Sequence, residues 1–356
     1  MRELFPEFRK PSEEELKKLW VNALFVFDAN ILLGLYRLPR RLRTDLISKL
    51  EKLKDRVWLP HQVALEYYRT RAEVIHEQER TYQNLIRMLK DCENNSVEQL
   101  KKYDRHPFIE NKKIVSKIVA SYKTILNDLD KIKSKQPDWN KSDDVECALS
   151  EVFKNKIGSA YEQKKLLEIY SEGQTRYNKE IPPGYKDKEK DKDDKTGTRK
   201  FGDLIIWFQV IDKAKESKKP IIFVTAEKSE DWWCVVGGKT VGARYELKTE
   251  IKDKADVVFY MYQSDRFIEH ASKYLEVKFN KDLIEEVKKL KDGAAKEEQD
   301  LVKPKEDLSI SVKDLICSVD VTSAEQVTSD GNADANSNNK SLNDKGSVDN
   351  QTMQGK

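Results

Sequence analysis

The side chains with the clearest chemical potential are carboxylates, and they lie far apart in the chain. Asp28 closes the apolar run LFVF at 24–27, with Asn30 two residues on. Glu66 falls in HQVALEYYRTR, a helical pattern that follows VWL at 57–59. Asp203 precedes LIIWFQVI, which is apolar on nearly every face, so the helix it opens must be buried. Thr225, Glu227, Glu230 and Asp231 crowd the end of IIFV at 221–224. Carboxylates brought together repel one another, and a bound cation is the natural way to keep them ionised. Hard divalent ions such as Mg²⁺ or Mn²⁺ prefer carboxylate, carbonyl and water oxygens. Such a site would lower the pKa of a bound water and stabilise the charge that develops on a phosphodiester. Zinc is a poorer match, because His61, His76, His106 and His270 are scattered and Cys92, Cys147, Cys234 and Cys317 form no CxxC. Each acid also has an ordinary account. Asp28, Asn30 or Asp203 could cap a helix, and Glu66 could simply be an acid placed favourably near a helix N-terminus.

Four runs have the character of buried strands: LFVF, VWL, IIFV and VVFYMY at 257–262. They do not alternate, and helical patterns separate them, so the expected class is three-layer α/β/α around a parallel sheet. In such sheets ligands bind beyond the carboxyl ends of the strands, where Asp28 stands. Val74, Ile75, Tyr82, Leu85, Ile86 and Leu89 recur at helical spacing, as do Ile114, Val115, Ile118, Val119, Tyr122, Ile125, Leu126, Leu129 and Ile132. The spacing predicts an αα-hairpin, followed by shorter helices around DDVECALSEVFKN and EQKKLLEIYSEG. IPPGYKDKEKDKDDKTGTRK then reads as a mobile, solvated loop over about 181–200. From Leu301 onward the chain is rich in Ser, Asn, Asp and Lys and has little to bury. The expected organisation is a domain over 1–300, with core segments at about 20–70 and 198–275 and a helical insertion at about 70–180, then a disordered tail over 301–356.

The 38% of hydrophobic residues suffices for a sizeable core, whereas 66 Lys and Arg nearly balance 63 Asp and Glu, so net charge makes no case for nucleic acid. Local charge is more informative. Arg37, Arg40, Arg41 and Arg43 follow the first acid and Arg69 and Arg71 follow Glu66, where they could contact phosphates. The lysines of Lys186–Lys200 are offset by nearby acids and read as a solvated surface, while Trp207, Trp232 and Trp233 read as packing residues. No apolar run approaches the roughly 20 residues of a membrane span, the N-terminus lacks the apolar core of a signal peptide, and the cysteines are dispersed. The expectation is a reduced, cytoplasmic protein.

VFDANILLGLYR, LEYYRTR, IPPGYKD followed by FGDLIIW, and FVTAEKSEDWW together resemble the PIN-like nucleases, in particular a subgroup with a long helical insertion before GDLIIW and a DWW motif after the last acidic strand. GARYELKTEI and FYMYQSDRFIEHA are similar to that subgroup's closing helix, strand and helix, and the resemblance spans roughly residues 20 to 275. It implies a PIN-like fold, dependence on Mg²⁺ or Mn²⁺, cleavage of RNA or less often structured DNA, and a toxin-like or phage-defence role. By position it makes Asp28 the first acid, Asn30 its polar companion, Glu66 the second acid and Asp203 the third. One position departs from the family: Thr225-Ala226-Glu227 stands where Thr, any residue, Asp is usual, with Asp231 four residues later. Either Glu227 or Asp231 could serve as the fourth acid and metal ligand, with Thr225 in support. Two other readings stay open: a PIN-like scaffold that has lost catalysis, alone or with a protein partner or second copy, and a flap-type DNA nuclease.

Overall fold

The computed structural model describes residues 5–187, 196–275 and 281–289. Its strands are β1 (Leu24–Phe27), β2 (Val57–Trp58), β3 (Ile221–Thr225), β4 (Trp233–Val236), β5 (Lys239–Ala243) and β6 (Phe259–Gln263). The helices are α1 (Glu13–Asn22), α2 (Ala29–Gly34), α3 (Arg40–Lys52), α4 (His61–Lys101), α5 (Asn111–Lys133), α6 (Asp144–Val152), α7 (Gln163–Asn178), α8 (Gly202–Ser217), α9 (Tyr245–Ala255) and α10 (Ser264–Tyr274). The expected tail at 301–356 lies outside the described residues.

The four apolar runs form one parallel sheet in the order β2-β1-β3-β6. Expected strand ends shift slightly, since Val257 and Val258 precede β6 and the strand continues to Gln263. From β1 the chain moves outward to β2, then crosses back to β3 on the other side, so the strand order reverses between β1 and β3. That switch point opens a crevice at the carboxyl ends of the two strands.

Pleating sends alternate side chains to opposite faces, and each face finds its own aromatic layer. Phe25 and Phe27 of β1 meet Phe267 of α10 at ring distances of 5.8 and 5.4 Å, and Trp20 of α1 lies 5.4 Å from Phe25. The fully buried Trp20 donates its indole N–H to Tyr262 of β6 at 3.0 Å, so its one polar atom is satisfied. On the other face Phe223 of β3 stacks on Trp232 at 5.1 Å, and Trp207 of α8 packs edge-on against Trp232 and Phe259. Helices on both faces complete a three-layer α/β/α fold. As expected, α8 is buried on almost every side from Leu204 to Ile211.

The αα-hairpin forms, with α4 and α5 side by side. The boundary expected near 70 does not interrupt the backbone, because α4 runs unbroken through 41 residues and carries Glu66 and the hairpin on one helix. The solvated loop expected over about 181–200 is corrected in its first part. Pro182, Pro183 and Gly184 are buried, because Arg176 and Asp231 supply hydrogen-bond partners to their backbone; residues 188–195 lie outside the described part. One element has no counterpart among the expected strands. β4 and β5 form an antiparallel hairpin through Gly237 and Gly238, both at positive φ. A Gly-Gly pair between valine-rich segments is the local signal for such a turn. Among the described residues, no helix is long and apolar enough to cross a membrane.

Packing of α7 on α8 depends on Gly173, where an added Cβ would lie 2.6 Å from the Phe201 ring and 2.9 Å from Leu204. Gly173→Ala is expected to cost about 1–3 kcal/mol of stability through overpacking. Gly34, at the end of α2 with nothing within 4 Å of the added atom, should accept alanine with a gain of about 0.5 kcal/mol. Urea denaturation of the two variants checks the contrast, and equal effects would contradict it.

Candidate active site

Asp28 extends β1 by one more rung, donating its backbone N–H to Val224 at 2.9 Å, so its side chain emerges at the crevice. One carboxylate oxygen accepts the Ala29 N–H at 2.7 Å and caps α2. The other accepts from Thr225 Oγ1 at 2.7 Å and Asn30 Nδ2 at 2.8 Å. Asn30 in turn accepts the Ala226 N–H at 2.9 Å, and Thr225 Oγ1 accepts the Glu227 N–H at 3.0 Å. These bonds tie the ends of β1 and β3 together and hold Asp28 between them. The capping account of Asp28 is therefore correct for one oxygen, while Asn30 serves as a staple across the switch point.

Glu66 stands in the second turn of α4, where Gln62 Nε2 donates to it at 2.8 Å. The Gln62 backbone N–H at the start of α4 would otherwise lack a helical partner. Gln209 from α8 accepts it at 3.0 Å, which links the helix bearing Glu66 to the helix bearing Asp203. At the start of α8, a Cβ on Gly202 would lie 2.6 Å from Glu66 Oε1. The glycine before Asp203 thus leaves the space that the Glu66 carboxylate occupies. Asp203 lies in the first turn of α8 and accepts from the Trp232 indole at 2.8 Å.

Asp28, Glu66 and Asp203 each keep only partial exposure, and the surrounding protein disfavours their charge. Burial is the main cause that pushes Asp28 up to about 6, assisted by the charge of Glu227 and opposed by bonds from Thr225, Ala29 and Asn30. Burial likewise pushes Glu66 up to about 7; Gln62 opposes the rise, Asp28 and Asp187 add to it, and Arg69 draws it down. Asp203 rises well above the carboxylate range through burial first, then through Asp187 and Asp28. The three acids therefore sense one another. Among the described residues, however, no three or more His, Cys, Asp or Glu side chains stand close enough together to hold a metal ion. The donors are nonetheless all oxygens, the ligand type that hard cations prefer.

The two candidates for a fourth acid are placed differently. Glu227 turns back on its own loop, where Oε1 accepts from the N–H groups of Lys228 and Ser229, both at 2.9 Å. Its charge nonetheless reaches Asp28. Asp231 is buried, and its Oδ2 accepts from Gly184 N–H at 2.9 Å and Lys186 N–H at 3.3 Å. Among the arginines, Arg69 is exposed and acts on Glu66. Arg40 and Arg41 are exposed on α3, and Arg37 pairs with Glu77 at 2.8 Å. Arg71 pairs with Asp143 at 3.5 Å, while Arg43 is buried against Trp139 and reaches Asp144 at 3.4 Å, so both fasten the α6 region. Sequence reasoning missed the contributions of Gly202, Gln62, Gln209 and Asp187. Only Asp187 had a visible signal, as the acid that ends IPPGYKD shortly before FGD.

A family model for PIN-like domains matches residues 24–247, which include all the acids described above. The chain belongs to the PIN-like domain family, whose members are generally nucleases. No curated protein and no solved structure matches it.

The raised carboxylates determine how stability depends on pH. Each binds its proton more tightly in the folded than in the unfolded chain, so the contribution of these groups to metal-free stability is fully present below the unfolded carboxylate range and is lost as pH rises through about 6 to 7. The melting temperature of the chelated protein should drop by a few degrees between pH 5 and pH 8, and by less in a D28N/E66Q/D203N variant. Equal pH slopes for parent and variant would contradict this. Gly202→Ala should keep its melting temperature, because the flexible end of Glu66 can move aside. The displaced carboxylate should lower turnover by roughly ten- to a hundredfold, and parental turnover would show that Glu66 does not need this space.

Proposed function

We propose that the protein is a metal-dependent nuclease that hydrolyses phosphodiester bonds, with RNA as its preferred substrate. The carrying observation is the convergence of Asp28, Glu66 and Asp203, three desolvated and mutually repelling carboxylates, at the strand-order switch of a PIN-like sheet. A scaffold would have no need to hold such acids together against their repulsion. These three residues would hold Mg²⁺ or Mn²⁺, with Glu227 close enough to act on Asp28. When bound, the ion supplies an activated water and neutralises charge on the phosphate. The chain supplies position. Thr225, Asn30 and Ala29 hold Asp28, Trp232 holds Asp203, and Gln62 holds Glu66. Arg69, exposed on the helix of Glu66, is placed to orient a phosphate without reading sequence. The preference for RNA follows the family.

The test uses labelled single-stranded RNA, structured RNA and DNA, each with Mn²⁺, Mg²⁺, Zn²⁺ alone or EDTA. RNA cleavage should require Mn²⁺ or Mg²⁺ and vanish with chelator. Asp28→Asn and Asp203→Asn, verified as folded by circular dichroism, should each lose roughly a hundredfold or more of the rate. Full cleavage in EDTA, or parental rates in both variants, would sink the metal-dependent reading. Cleavage confined to DNA would overturn only the substrate assignment.

A further inference from the structure

The αα-hairpin reaches well beyond the sheet. Within α4 the last buried residue is Ile75, and within α5 only Asn111 is buried. Yet α4 continues unbroken to Lys101, so at about 1.5 Å per residue its end stands about 50 Å from Glu66. Asn111 fixes the tip of this arm. Only 3% exposed, it donates from Nδ2 to the Leu100 carbonyl at 2.7 Å and to Asp104, which joins the end of α4, the connecting turn and the start of α5. His106 closes the turn further, donating its N–H to the Tyr103 carbonyl at 3.1 Å and accepting from the Ile109 N–H at 3.4 Å.

This fixed tip presents groups that a solvated turn does not require. Residues 100–117 hold six lysines and arginines against two acids, in a chain whose opposite charges nearly cancel overall. Both acids are engaged within the tip, Asp104 by Asn111 and Glu110 by Lys113. Lys101, Arg105, Lys112 and Lys117 have no carboxylate partner among the described residues. Lys112 and Lys113 also open α5, which has no acid in its first turn and no side-chain cap, so the helix dipole adds to their positive charge instead of offsetting it. An anion brought from outside removes that mismatch.

Beside the cations stands a ring. Phe108 is 90% exposed, with its backbone N–H donated to His106 Nδ1 at 3.3 Å and its ring edge-on to His106 at 6.4 Å. Tyr103, on the same turn, is half exposed. Cations beside aromatic faces are what a single strand of nucleic acid requires, because lysine and arginine track its phosphates and every base has a face that can stack. A duplex hides its bases and has no use for the ring. An apolar protein surface has no use for the cations.

We propose that the hairpin tip is a second nucleic-acid site, which holds a single-stranded stretch of the substrate through phosphate contacts from Lys101, Arg105 and Lys112 and through stacking of a base on Phe108. This rests on the reading of the protein as a nuclease. At about 3.4 Å per stacked nucleotide, the length of α4 from Glu66 to the tip corresponds to about 15 nucleotides. The tip therefore favours long strands.

The experiment measures, by fluorescence anisotropy over a range of salt, how the full-length protein in EDTA binds labelled single strands of RNA and of DNA about 30 nucleotides long, twice that reach. A neutral triple variant, Lys101→Gln/Arg105→Gln/Lys112→Gln, should bind about tenfold more weakly, with a salt slope shallower by about 2, since each phosphate contact on a single strand contributes about 0.7. Phe108→Leu should weaken binding roughly fivefold at an unchanged salt slope, whereas Phe108→Trp should bind as the parent does, because stacking needs a ring and not merely an apolar surface. All four side chains are exposed, so melting temperatures should stay at the parental value. No binding of either strand, or parental affinity in both the triple variant and Phe108→Leu, would overturn the tip site, while cleavage with Mn²⁺ would still measure the active site. Tip-dependent binding without cleavage would do the reverse. Equal losses in Phe108→Leu and Phe108→Trp would refute the stacking. Sedimentation velocity is run alongside: loss of a dimer in the triple variant, with affinity per protomer unchanged, would assign the tip to a second copy of the chain instead.

Discussion

Mutual repulsion among desolvated carboxylates is the constraint on which the rest of the structure turns. Asp28, Glu66 and Asp203 come from a strand end and two helices; Asp28 raises the cost of ionising Glu66 and Asp203, and Glu66 that of Asp203. Flexible side chains would relieve that repulsion by turning into solvent. Each is instead held by a neutral donor: Thr225, Asn30 and the Ala29 backbone for Asp28, Gln62 for Glu66, Trp232 for Asp203. Neutral donors fix geometry without cancelling charge. A lysine or arginine in the same places would instead favour the ionised carboxylates.

Holding the acids rigidly requires rigid elements behind them. The two aromatic layers, Trp20 with Phe25 and Phe267 on one face and Phe223 with Trp207 and Trp232 on the other, fill the space between sheet and helices. Trp232 belongs to both systems, since its ring stacks on Phe223 and its N–H reaches Asp203. Gln209 plays a similar double part from within α8, completing the start of α4 while anchored near Ser159. Core packing and site geometry are thus coupled. A change that loosens the core on this side of the sheet also shifts the acids.

The sequence by itself determined the elements and the inventory. Runs without alternation marked the four parallel strands, helical spacing marked the hairpin, and the all-round apolar character of LIIWFQVI marked α8 as buried, because periodicity and burial are properties of local pattern. Motif order also placed Asp28, Glu66 and Asp203 among the site candidates. Tertiary structure alone decided how those residues are used. Arg43 became a buried partner of Trp139, Glu227 folded onto its own turn, and a loop that read as solvated was drawn in at Pro182 to Gly184. The physical reason is that a polar side chain takes its role from the groups across from it. Gly184 and Asp231, or Gly202 and Glu66, meet only after the sheet has closed, and no local pattern records which atoms will then lie within bonding distance.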